Sequence, residues 1–288
     1  MIKKGIILSG GHGTRMSPLT KAVNKQLLPI YDKPLIYYPL SILMMAKIKE
    51  ILIVVNKGQI NMYKKLLPNG KNLGIKIQYK EQPYPKGLPD AFILGQKFIG
   101  NNNVALILGD NFFYGKSLVN KLLKSSKLEK GANVFLHKVN NPKLFGVAKL
   151  NSEKEIIGIK EKPKKKYSNL AITGLYFFDK RVVNFSKALK PSKRNELEIT
   201  DLLKKYHLKK ELYSNTLGKE CFWLDAGSIE DYYTTNKFVY LIQKKSKKHI
   251  GCLEEIAYKN KWISKKHIIE SIKFYGNCSY SNYLKKLI

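Results

Sequence analysis

Val104-Ala105-Leu106-Ile107-Leu108, followed by Gly109-Asp110-Asn111, decides the architecture. Five successive apolar residues leave no polar face, so a strand made of them must be covered on both sides. A parallel sheet with helices packed above and below meets that requirement. The abrupt change to Gly-Asp-Asn marks where the strand leaves the core. A carboxylate at that tip stands over the crevice in which open α/β sheets hold their ligands.

Working outward, similar short runs predict strands over 4–9, 50–55 and 75–79, with helical patterns over 35–46, 61–67 and 91–98 between them. Such alternation reads as βαβ units. Beyond about residue 132 the strands come close together, over 133–139, 147–150, 156–161 and 171–178, which predicts an antiparallel extension of the sheet. Asn195 is placed to cap a helix reaching His207, with Glu196 and Glu198 in its first turn. A further helix is expected over 228–243. After Lys244-Lys245-Ser246-Lys247-Lys248 the chain turns polar and helical to its end. The expected fold class is therefore α/β: a Rossmann-like three-layer α/β/α domain over 1–245, with a mostly parallel central sheet and an antiparallel extension. A small helical appendage is expected over 246–288.

Composition excludes several classes. Of 288 residues 44% are hydrophobic, enough for a large core. No apolar run approaches the roughly 18–20 residues that cross a bilayer. Ile6 to Leu8 is too short for a signal sequence and runs into Gly10-Gly11-His12-Gly13. The three cysteines, Cys221, Cys252 and Cys278, show no paired spacing, which suits a cytoplasmic chain without a disulfide framework or zinc site. The net charge of +32 suggests a nucleic-acid surface, yet Arg15, Arg181 and Arg194 are the only arginines among 53 basic residues. Base readers favour the planar arginine fork. Abundant lysine spread over the whole chain reads instead as a compositional bias of a solvated surface, with attraction of anionic substrates as a by-product.

Gly10-Gly11-His12-Gly13-Thr14-Arg15 follows the first strand directly. Closely spaced glycines let backbone N–H groups converge on an anion. The string fits neither common nucleotide fingerprint, but Arg15 at its end and Lys25, in Lys25-Gln26-Leu27-Leu28-Pro29, complete a polyphosphate cradle. Asp110 and Asp225, the latter in Trp223-Leu224-Asp225-Ala226-Gly227, each end an apolar run and are candidates for holding a divalent cation such as Mg²⁺. In Glu161-Lys162-Pro163 the lysine suits a second phosphate and the glutamate suits sugar hydroxyls. Gln82, in Gln82-Pro83-Tyr84-Pro85-Lys86-Gly87, both donates and accepts, as a nucleobase edge requires. Each string by itself also admits an ordinary structural reading as a turn, cap or surface loop.

Together these strings resemble the sugar-phosphate nucleotidylyltransferases, most closely members that act on dTTP and glucose 1-phosphate. The resemblance extends through Tyr31-Asp32-Lys33-Pro34, Leu108-Gly109-Asp110-Asn111, Phe145-Gly146-Val147, Thr173-Gly174-Leu175-Tyr176, Glu196-Leu197-Glu198-Ile199-Thr200-Asp201 and the tail string Cys252-Leu253-Glu254-Glu255-Ile256-Ala257. It implies direct displacement of pyrophosphate by a sugar 1-phosphate. Arg15 and Lys25 would hold the triphosphate, with Gly10, Gly11, Gly13 and Thr14 around it. Lys162 would hold the sugar phosphate, and Asp110 and Asp225 would hold Mg²⁺. Gln26, Gln82, Pro85 and Gly87 would surround the thymine, and Asn111, Gly146, Glu161, Ile172 and Tyr176 the glucose. It further implies a homotetramer, with dTDP-rhamnose as a feedback ligand at a subunit interface and no nucleic-acid or membrane partner. His12 replaces a residue that is small in the family, and Lys259 replaces an arginine, whose planar fork lysine cannot reproduce. Use of UTP or another sugar 1-phosphate stays open, as does, more remotely, a basic nucleic-acid-binding module.

Overall fold

The computed structural model describes residues 1–11 and 13–288. His12, singled out above, lies outside the described residues. The first half contains β1 (Lys4–Ser9), the short pair β2 (Pro29–Ile30) and β3 (Lys33–Pro34), α1 (Tyr37–Met45), β4 (Glu50–Asn56), α2 (Ile60–Leu66), β5 (Lys76–Gln82), α3 (Asp90–Leu94), α4 (Gln96–Ile99), β6 (Val104–Leu108), β7 (Asn111–Tyr114) and α5 (Leu118–Ser125). The second half contains β8 (Ala132–Lys138), β9 (Gly146–Leu150), β10 (Ile156–Glu161), β11 (Leu170–Phe178), α6 (Val182–Lys187), α7 (Ile199–His207), β12 (Leu212–Thr216), β13 (Phe222–Asp225) and α8 (Ile229–Ser246). The tail adds α9 (Leu253–Lys259), α10 (Lys265–Tyr275) and α11 (Ser279–Lys285).

The main sheet runs β10-β9-β11-β6-β1-β4-β5, with β8 on the other side of β11 and β12 beyond it. β5, β4, β1 and β6 are mutually parallel, and β11 turns the sheet antiparallel against β6. From β1 the chain moves outward through β4 and β5, then returns to β6 on the opposite side of β1. That reversal places a crevice at the carboxyl ends of β1 and β6.

The central strands are apolar throughout because both faces are covered. Ile6, Leu52, Val54 and Leu106 pack beneath α3, α6 and α7 with Phe92, Val182 and Leu202. Ile7, Ile51, Ile53 and Ile107 face Leu40 and Leu43 of α1 on the other side. Each such fully buried side chain contributes about 1.5–3 kcal/mol. Cys252, Leu253, Ala257, Ile268 and Leu284 of the tail belong to the same cluster as Ile7 and Leu40, so the tail closes one face of the main core.

Local contacts move several expected boundaries. The helix expected from residue 35 begins at Tyr37, because the N–H groups of Leu35 and Ile36 bond back to Leu28 and Gln26. The helix over 91–98 divides into α3 and α4 at Gly95, which is pressed against Ile6 and Leu52 of the sheet. Asn195 does not cap a helix. It sits in a left-handed turn at φ 61°, and α7 starts later, at Ile199. Glu198, before α7, accepts hydrogen bonds from Ser192 and Arg194. The antiparallel ribbon of β7 with β13 is not signalled by any repeat in the sequence.

Candidate functional site

Leu8 pairs with Leu108 across β1 and β6, so the glycine loop and Asp110 emerge side by side. Asn56, ending β4, fastens the loop: Gly11 N donates to Asn56 Oδ1 at 2.9 Å, and Asn56 Nδ2 returns a bond to Gly11 O at 2.9 Å. A Cβ on Gly10 would lie 2.6 Å from Gln82 Oε1, so this position has no room for a side chain. Thr20 Oγ1 donates to Gly13 O at 2.8 Å. Thr14 and Arg15 are exposed above the loop.

Lys25 Nζ bonds Asp110 Oδ2 at 2.6 Å, and Asn111 Nδ2 donates to Asp110 Oδ1 at 3.0 Å. The β7–β13 register sets Asp225 opposite Asn111, and Ala226 N donates to Asp110 O at 2.9 Å. Two aspartates far apart in sequence are thereby held together by backbone pairing. Arg15 Nη2 lies 2.7 Å from where a Cβ on Gly227 would stand, and Asp225 Oδ1 lies 2.9 Å from the same point, so the guanidinium rests beside that carboxylate. Burial, reinforced by the Asp110 charge, pushes the Asp225 carboxyl up to about 6 against the pull of Arg15 and Lys25. For Asp110 burial acts upward too, but the charge and hydrogen bond of Lys25, with Asn111, hold it below its ordinary value.

The donor set offered here is hard oxygen alone. Among the described residues no group of three or more His, Cys, Asp or Glu side chains could enclose a metal. Two adjacent carboxylates, one already neutralised by an ammonium group, fit a cation that completes its shell with phosphate oxygens and water.

Asn111 bridges to a second cluster. Only 1% exposed, it accepts from Gly174 N at 3.0 Å and from Trp223 Nε1 at 2.7 Å. Glu161, ending β10, accepts from Thr200 Oγ1 at 3.2 Å and lies 3.5 Å from Arg194. Gly146 lies against Thr200 and Glu161. Burial, then the neighbouring Glu198, raise the Glu161 carboxyl. Tyr176 and Ile172 are buried on β11. Lys162 is exposed, in a left-handed conformation at φ 39°, and groups with Glu161 rather than with the Lys25–Asp110 pair.

Gln82 ends β5, buried, and donates to Asp90 Oδ2 at 2.8 Å. Gln26 is buried, with its side chain against Gly109 just beyond β6. Pro85 is exposed in the following loop. Gly87, at φ 94°, forms a bridge with Leu197, and a Cβ there would strike the Leu197 carbonyl. Sequence patterns overlooked Asn56, Trp223, Thr200 and Arg194. Arg194 had a usable signal, being one of three arginines in a chain otherwise rich in lysine.

The nucleotidyl transferase family profile matches residues 4–240. The glucose-1-phosphate thymidylyltransferase of Neisseria meningitidis is 47% identical over 99% of both chains. A solved Bacillus anthracis structure bearing the same enzyme name aligns with TM-score 0.76 at 37% identity, over 82% of this chain and 94% of the other. A UDP-glucose pyrophosphorylase solved with UDP-glucose aligns at TM-score 0.73 and 28% identity, over 84% and 99% respectively.

Proposed function

The chain belongs to the nucleotidyl transferase family, and on that premise we propose that it transfers the thymidylyl group of dTTP to α-D-glucose 1-phosphate, giving dTDP-glucose and pyrophosphate. The observation that carries this reading is the meeting of Arg15, Lys25, Asp110 and Asp225 at the carboxyl ends of β1 and β6. The full-length relative named for that reaction supports the choice of nucleotide and sugar. A sugar-phosphate oxygen attacks the α-phosphorus in line, and the bond to the departing pyrophosphate breaks. Arg15 and Lys25 neutralise the triphosphate and the charge on the leaving group. Lys162 holds the phosphate of the sugar substrate, and Arg194 keeps Glu161 aimed at the glucose hydroxyls. No protein nucleophile is required, because positioning and charge neutralisation lower the barrier.

Asp110 and Asp225 would hold the divalent ion, which we propose is Mg²⁺. When bound it supplies charge to the phosphate oxygens. Lys25 must then release Asp110 and turn to the triphosphate. Gln26 and Gln82, with Pro85 and Gly87, are proposed to flank the thymine. Asn111, Gly146, Glu161, Ile172 and Tyr176 are proposed to line the glucose. Pyrophosphate release measured across dTTP, UTP and dATP, each with several sugar 1-phosphates, tests the assignment. The highest kcat/KM is expected for dTTP with glucose 1-phosphate; a clear preference for UTP would replace it.

The remaining expectations extend this proposal. We place the transferase unit at 1–245 and assign 246–288 to contacts between subunits of a cytoplasmic homotetramer. A cavity of about 580 Å³ lined by Tyr114, Gly115, Ile250, Cys252, Glu255 and Lys259 supports a second ligand site for dTDP-rhamnose. Lys259 there is paired with Glu255 at 2.5 Å.

A further inference from the structure

Two buried polar atoms of the crevice floor, Ser9 Oγ and Gln26 Oε1, have no hydrogen-bond partner among the described residues. Unpaired buried groups are costly and therefore uncommon. Both side chains press on Gly109: a Cβ there would lie 2.5 Å from Ser9 Oγ and 2.9 Å from Gln26 Cγ. Both residues are sealed from solvent, Ser9 at 0% and Gln26 at 3% exposure.

The polar groups beneath them are already committed. Asn24 Oδ1 accepts from Tyr63 Oη at 2.8 Å and from Gln26 N at 3.1 Å, while Asn24 Nδ2 donates to Gln59 Oε1 at 2.7 Å. In this tier the Ser9 hydroxyl lies near the Tyr63 oxygen without a well-formed bond, and the Gln26 carbonyl is the acceptor left over among the described residues. A hydroxyl hydrogen rotates to suit its partner, and the terminal torsion of glutamine is soft. Rotation about these bonds can therefore turn donor toward acceptor.

We infer that Ser9 is a positioning residue for nucleotide selection, donating to Gln26 Oε1 in the substrate complex and so fixing which end of the amide faces the base. The inference rests on the proposal that Gln26 flanks the nucleobase. A free glutamine amide presents either a donor or an acceptor. With its oxygen held by Ser9, Gln26 presents only its N–H groups. These meet a keto edge, as in thymine, and leave the amino edge of adenine without an acceptor.

Ser9→Ala removes one oxygen from a sealed position and tests this directly. The KM for dTTP should rise about two- to tenfold, the range of one hydrogen bond, and discrimination against dATP should narrow by a similar factor. The KM for glucose 1-phosphate and kcat should stay within about twofold. In a Gln26→Ala background the same change should have no further effect on the nucleotide KM, because Ser9 acts through Gln26. An equal rise in both backgrounds would overturn the inference. So would an unchanged nucleotide KM accompanied by a lowered Tm, which would show Ser9 serving the adjacent Tyr63 hydroxyl instead. Gln26→Ala alone tests the underlying base assignment: an unchanged nucleotide KM there removes that assignment whatever Ser9 does.

Discussion

The two ends of the crevice are built on opposite principles. The end formed by Arg15, Lys25, Asp110 and Asp225 is charged: an exposed Arg15 stands over a half-buried ion pair, which under the proposed function rearranges when substrate binds. The end formed by Asn111, Tyr176, Ile172 and Trp223 is largely buried and held by neutral hydrogen bonds. The first gathers at the carboxyl ends of β1 and β6, with Asp225 supplied by β13; the second joins β11 of the antiparallel extension to the β7–β13 ribbon. The contrast suits their proposed partners: a polyphosphate demands charge compensation, whereas a sugar demands fixed donors and acceptors. At the first end, electrostatic demand works against stability. At the second, the groups that would recognise the ligand also hold the fold together.

If that contrast is correct, the largest effect comes from Arg15→Ala. The side chain is exposed, so Tm should change by no more than a degree or two, while kcat/KM for pyrophosphate release falls about 10²–10³-fold. Near-normal turnover would remove Arg15 from the charged end and break the comparison.

Asp225→Asn should separate stability from activity. In the fold its carboxyl rises from 3.8 to about 6. Between those values the folded protein keeps a proton that the unfolded chain has released. Raising the pH through that window therefore costs stability, and the cost is complete above about pH 6. Without added divalent ion, the asparagine variant should be more stable than the parent at pH 7.5 by about 1–3 kcal/mol, read by urea unfolding, with no advantage below pH 4. Its affinity for Mg²⁺, read by calorimetry, should fall sharply. In the parent protein that affinity should weaken as pH drops through about 6, because the ion and the proton compete. Equal stability of the two proteins at pH 7.5 would show that Asp225 is not strained.

Trp223→Phe tests the other end. It removes the indole donor to buried Asn111 while keeping most of the aromatic packing, and should cost about 1–3 kcal/mol of stability. The KM for glucose 1-phosphate should rise and that for dTTP should stay unchanged. The smallest effect is expected for Thr200→Val, which frees Glu161 from its 3.2 Å hydrogen bond. A two- to fivefold rise in the sugar KM is expected, of the order of one hydrogen bond. If Thr200→Val altered dTTP binding instead, the division between the two ends would need redrawing.

Legibility in the sequence followed the same division. The charged end was readable because its residues lie in strings with local meaning: a glycine run after an apolar strand, and an aspartate where Val104 to Leu108 stops. The buried end was only partly readable. Asn111 looked like a ligand residue, but its bonds to Gly174 and Trp223 came from strands distant in sequence. No string in the sequence ties Arg194 to a site; the turn before α7 brings it onto Glu161 and Glu198. The misplaced cap at Asn195 has a local origin instead, since Ser192 and Arg194, within six residues, hold Glu198 and compete with capping from Asn195.

By itself the sequence determined the type and order of the core strands, because an apolar run without a polar face admits few environments. It also marked the glycine loop and Asp110 just beyond β1 and β6, where the triphosphate is proposed to bind. Tertiary structure alone decided that Asp225 stands opposite Asn111 beside Asp110, and that the tail helices share the main core rather than forming their own. It also left Ser9 Oγ and Gln26 Oε1, both beside Gly109, without partners among the described residues. The physical reason is one of range: periodicity and propensity act over a few residues, whereas convergence of side chains depends on strand register and chain reversal, which no short window contains.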